Sequence, residues 1–160
     1  MKLRMVLAAA FLSLIAIPTG AAAQGRPQSP PQVLTYEMAK DAAEAAEAYA
    51  RGNGWNVIVI VVDAQGVPIY LKRLDNAIPG AYDYATGKLR TVIGSGLSTK
   101  EYAERLAAGT IEAVPDAVAL EGAFPIMKDG ELVGAIAVSG VRPQQDAMAA
   151  QAGLDAISGL

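Results

Sequence analysis

Six consecutive β-branched residues, Val57 to Val62, constrain this chain more than any other segment. A strand that alternates polar and apolar residues can leave one face in water. This run has no polar position, so it needs apolar cover on both faces. The segment therefore reads as a strand buried on both faces. Asp63-Ala64-Gln65-Gly66 follows as a turn. Val67, Ile69 and Leu71 then alternate with Tyr70 and Lys72, which predicts a second strand hairpinned to the first, with Arg73 on the apolar parity.

A second hairpin is written at Asp129-Gly130, between Phe124–Lys128 and Glu131–Ser139. Both central positions of such a two-residue turn want positive φ, which Asp-Gly supplies. Ala117 to Leu120 is expected to add an edge strand. Four helices fill the intervals. Thr35 reads as the N-cap of the first, with Met38, Ala42, Ala45, Ala46 and Tyr49 inward and Lys40, Glu44 and Glu47 outward. Ile78–Ser95 is the second, with Pro79 near its start. Ser98-x-x-Glu101 is a capping box for a short third helix ending at Leu106. Pro143 opens the last, with Asp146 in its first turn and Ala147, Ala150, Leu154 and Ile157 as its buried stripe. Two hairpins with flanking helices predict an α+β fold: one domain with an antiparallel sheet of about five strands.

The first segment reads differently. Lys2 and Arg4 precede an apolar run from Met5 to Ile17, and Ala21-x-Ala23 offers small residues for cleavage. This is the layout of a secretory signal peptide, and the run is short for a membrane span. Residues 24–33 form a polar, proline-rich leader, expected to be flexible. The expectation is a periplasmic or secreted domain over residues 34–160, with no membrane association after cleavage. Removing the signal leaves 11 basic against 16 acidic residues. That acidic balance argues against nucleic acid as a partner.

The 160 residues contain no cysteine and no histidine. Disulfides, thiolate metal sites, Ser-His-Asp triads and His-ligated metals are excluded. Ser95, Ser98 and Ser139 have no imidazole to activate them. What remains is a set of polar candidates. Arg73, on an expected buried face, needs an anion, either Asp75 nearby or a ligand. Lys88 lies one helical turn from Tyr84, on a face that is either solvated or ligand-binding, with Arg90 close by. Arg73, Lys88, Tyr82 and Tyr84 together suit a planar or aromatic ligand carrying carboxylates. Glu121-Gly122-Ala123-Phe124-Pro125 enters a strand, where the glycine permits either a plain turn or close backbone approach to a ligand.

Taken as whole segments, residues 34–157 resemble the GlcG/HbpS family of haem-binding or haem-degrading-like domains. The resemblance rests on Arg73-x-Asp75 after the second strand and on Ala85-x-x-Lys88-x-x-Thr91 in the middle helix. It rests also on Gly140, Gln145-Asp146 and Ala152-Gly153 near the end. It implies a profilin-like fold, a homo-oligomer and haem as cofactor. Asn76 and Ala81 depart from the glycine and serine usual in the family, and Tyr82 and Tyr84 replace aliphatic residues. Without histidine, a haem iron would take Tyr, Met, Lys or a hydroxyl as its ligand, with Tyr82, Tyr84 or Tyr70 as the candidates, and Arg73 and Lys88 would pair with the propionates. Two other functions stay open. One is a binding module or enzyme for a small organic acid using Arg73 and Lys88. The other is an oligomeric interaction protein with no small ligand.

Overall fold

The computed structural model describes residues 33–159. The segment read as a signal peptide and most of the segment read as a leader lie outside them. Eight elements follow in order: α1 (Tyr36–Gly52), β1 (Ile58–Asp63), β2 (Pro68–Arg73), α2 (Ala81–Ser95), α3 (Thr99–Ala107), β3 (Ala123–Lys128), β4 (Glu131–Ser139) and α4 (Pro143–Ala156). The strands form one antiparallel sheet in the order β2-β1-β4-β3. This is the α+β domain expected, with four strands in place of five.

The central position of β1 explains its composition. Val57, Val59 and Val61 enter a core with the alanines of α1 and with Ala149 and Ala150 of α4. Ile58, Ile60 and Val62 enter a second core with Ala81, Ala85, Leu89 and Val92 of α2. Both faces are covered, as the unbroken run requires. The alanines let helices sit close. A Cβ at Gly153 would lie 2.6 Å from the Ala42 carbonyl oxygen and 3.2 Å from the Ala46 Cβ, so α1 and α4 nearly touch there.

Several local readings hold. Thr35 caps α1 by accepting the Met38 N–H at 3.3 Å. Asp129 and Gly130 turn the β3–β4 hairpin with φ of 50° and 83°. Pro143 opens α4. Ser98 accepts the Glu101 N–H, but the Glu101 carboxylate pairs with Arg105 at 2.6 Å, so the capping box is half made.

Other readings are corrected. Ala117–Leu120 is not a strand. The Thr91 hydroxyl accepts the Val118 N–H at 2.9 Å and donates to the Val118 carbonyl at 3.0 Å, which ties this segment to α2. Asp116, at φ 54°, also breaks the extension. α2 starts at Ala81 rather than Ile78, with Gly80 as its N-cap. In β2 a register shift opposite Val61/Val62 breaks the strict alternation. Ile69 and Tyr70 both pack toward the α1 side. Leu71 pairs with Ile60 and Arg73 with Ile58, which places them on the α2 side. There α2 covers β1 and β4 but not β2. The face read as buried is therefore open: Val67, Leu71 and Arg73 are exposed. The stripe of α4 is rotated, with Asp146, Ala149, Ala150 and Gly153 buried and Ala147 and Leu154 only partly so. Glu47, read as outward, is buried under β2, where Lys72 and Arg51 bind its two oxygens.

Candidate functional site: a groove and a buried ion pair

The half-covered face leaves a groove of about 490 Å³ between β2 and α2. Its floor and walls are Ile60, Val62, Pro68, Leu71, Leu89 and Ile93, and Val114-Pro115 closes one side. Three polar side chains of α2 reach it. Tyr82, Thr86 and Arg90 follow one another at four-residue spacing and so share a helix face. Thr86 spends its hydroxyl on the carbonyls of Tyr82 and Asp83. Tyr82 and Arg90 are exposed, and their side chains have no hydrogen-bond or ion-pair partner among the described residues. An apolar concavity of this volume with a few convergent polar groups has the character of a cofactor-sized ligand site.

The second arrangement sits at the end of the sheet where β4 runs into α4. Lys88 is 1% exposed. Its ammonium donates to Asp146 Oδ2 at 2.7 Å and to the Val138 carbonyl at 2.9 Å. Asp146 Oδ1 accepts the Val141 N–H at 3.2 Å. Burial lowers the Lys88 pKa and raises that of Asp146, each outweighing the attraction between the two. Gly122 makes the enclosure possible. At φ 129° its missing side chain would stand 2.5 Å from Lys88 Nζ and 2.8 Å from the Asp146 Cβ. Beside the pair lies a cavity of about 130 Å³, which Tyr84 also lines.

The other sequence candidates separate. Arg73 donates to the Ala77 carbonyl at 3.0 Å rather than pairing with Asp75, and both side chains are exposed. Arg73 is thus not the buried cation expected; the open α2 side lets water solvate it. Lys88 is the buried cation instead, and its face is not solvated. Tyr70 meets Tyr36 edge to face at 5.8 Å on the opposite side of the sheet from the groove. Phe124 packs against the α1–α4 core and lines a shallow cleft with Tyr49, Lys100 and Met148. Tyr82 and Tyr84 point into different spaces, and neither the groove nor the small cavity is lined by both Arg73 and Lys88.

Asp146 and Ser139 were missed as site residues. The signal for Asp146 was present: Ala81, Ala85, Lys88 and Val92 form one helical stripe, so Lys88 had to be buried and had to find a carboxylate.

The model of the family described as "Haem degrading protein HbpS-like" matches residues 34–155. This chain belongs to the HbpS-like family. It is 34% identical to protein GlcG of Escherichia coli K12 over 109 residues, 67% of this chain and 81% of that protein. Among solved structures, a double-substitution variant of HbpS from Streptomyces reticuli is 36% identical, with a TM-score of 0.71 over 88% of this chain and 97% of the other. A complex described as PduOC with haem is 25% identical, with a TM-score of 0.70 over 78% and 94%.

Proposed function

We propose that this HbpS-like protein binds haem in the β2–α2 groove. The carrying observation is that one largely apolar volume of about 490 Å³ is lined by Tyr82 and Arg90, whose side chains have no partner among the described residues. Those residues fit the group. Apolar walls suit the macrocycle, Tyr82 offers an oxygen to the iron, and Arg90 offers bidentate hydrogen bonds to a propionate. Bound haem supplies redox chemistry and axial-ligand binding at its iron. The chain's own contribution is to orient the ring between β2 and α2, to exclude water from one face and to hold one anionic arm. Haem-binding and haem-degrading descriptions among relatives support the reading. We also infer an exported, homo-oligomeric protein, from the signal-like segment at residues 1–23 and from the open apolar face of β2.

Titration of the purified protein with haemin, followed at the Soret band, tests this. Saturable binding that Tyr82→Phe changes in spectrum and Arg90→Gln weakens is expected. Tyr84→Phe and Arg73→Ala should leave it unchanged. Equal effects of Tyr84→Phe and Tyr82→Phe would remove the groove from the account.

A further inference from the structure

The cavity beside the Lys88–Asp146 pair has a polar floor and an apolar mouth. Ile78, Tyr84 and Leu120 rim it and are each about half exposed. Its floor is Lys88, Asp146 and Ser139, all at least 97% buried. Ser139 is the informative residue. Its hydroxyl makes no hydrogen bond to any described residue. Yet no fully enclosed side-chain polar atom among the described residues lacks a partner, so the Ser139 oxygen must reach the cavity surface. A buried hydroxyl left open to a cavity is costly unless something occupies it. Lys88 adds a second donor: an ammonium has three N–H groups, and the chain supplies acceptors for two, on Asp146 and Val138.

We propose that this cavity is a binding site for a small neutral carbonyl compound whose oxygen accepts hydrogen bonds from the Lys88 ammonium and the Ser139 hydroxyl. Size and charge define the class. A volume of about 130 Å³ corresponds to roughly four waters, so the ligand has about four to six heavy atoms. The Lys88–Asp146 pair is already neutral as a unit. A carboxylate ligand would leave one uncompensated negative charge at a buried site, whereas a ketone or aldehyde adds none. Both open groups can donate, the ammonium only donate, which suits an acceptor-only oxygen. The site is separate from the groove and does not depend on haem.

Acetone and acetate provide the test, since they have the same heavy-atom count and similar shape but differ in charge. Four heavy atoms limit affinity to about tens of micromolar at best, so the titration runs into the millimolar range. Amide chemical shifts of Ser139, Gly140 and Val141 in the purified protein are the readout. Acetone should shift them saturably and acetate should not. Ser139→Ala removes a hydroxyl with no partner among the described residues, so the fold is retained, and acetone binding should weaken about fivefold. Equal responses to acetone and acetate, no saturable response to acetone, or unchanged affinity in Ser139→Ala would each overturn the proposal.

Discussion

The two faces of the sheet are built from the same kinds of residue and reach different ends. On one face α1 and α4 lie over all four strands, and their alanines and Gly153 bring the helices into backbone contact. On the other face α2 lies alone over the central strands, and the flank of β2 is left open. The closed face keeps only a shallow cleft at its rim, between Tyr49, Phe124 and Met148. The half-closed face holds both the groove and, at its end, the small cavity. One missing helix is thus the difference between a face sealed against the sheet and a face whose strands line a groove.

The sharpest break of this comparison is Lys88→Met. It leaves the Asp146 carboxylate buried without its cation, and removing one member of a buried pair costs about 3–5 kcal/mol. Adding Asp146→Asn, which keeps an acceptor for the Val141 N–H, should recover most of that loss, because two neutral groups replace two buried charges. Urea denaturation of the wild type, both single variants and the double variant measures this. Strict additivity would show that the pair does not act as a unit. The pH profile carries a sign. Burial holds the folded Asp146 pKa above its unfolded value, so the folded state binds the extra proton. The Lys88→Met protein should therefore regain part of its lost stability as pH falls through that raised pKa.

On the closed face Ile136→Ala is the counterpart. Ile136 is fully buried beside Gly153, with its Cδ1 2.6 Å from where a Cβ would stand. The helices there cannot collapse further, so the vacancy should persist and cost about 2–5 kcal/mol. A loss well below 1 kcal/mol would mean that α1 and α4 can slide, and that the face is less rigid than its contacts imply.

A smaller effect separates the ion pairs of the molecule. Glu47 is held by Lys72 and Arg51 under β2. Burial alone would raise its pKa, but the hydrogen bonds from Lys72 and then Arg51 outweigh it and set it below the ordinary 4.5. Its contribution is fully present above pH 4.5 and is lost as pH falls through the lower folded value. Melting temperatures across pH 2–7 should fall less steeply at the acid end in Glu47→Gln than in the wild type. Parallel curves would show that this carboxylate does not drive the acid response.

How much of this was legible in the sequence follows the same division. The double-sided burial of Val57–Val62, the Asp129-Gly130 turn, the Thr35 cap and the helix start at Pro143 are encoded within a few residues, and local physics reads them. The openness of β2 is not. Val67, Ile69 and Leu71 spell one buried strand face, but the register shift turns Ile69 toward α1, and the absence of a helix above Leu71, a tertiary fact, leaves it 46% exposed. Glu47 looked outward because its partner Lys72 lies on another element. The candidate site was half legible. Tyr82, Tyr84 and Lys88 were found by residue type, but one helix face carries Tyr82 to the groove and another carries Tyr84 to the cavity. Asp146 was masked by a sufficient local explanation, the helix dipole, although the apolar stripe around Lys88 called for a carboxylate.

Leu71→Ser is the finest test of the two faces, because it should change binding with almost no change in stability. Leu71 already gives nearly half its surface to water, so the lost burial is small and the expected stability change is within about 0.5 kcal/mol. In the groove the same side chain stands opposite α2, paired across the sheet with Ile60, where the ligand would cover it. Haemin affinity should then fall by about tenfold, near the transfer free energy of one leucine side chain only partly buried by the ligand. A variant that loses stability but keeps haemin affinity would reverse the assignment. It would make the flank of β2 part of the core and leave the binding site to be sought elsewhere.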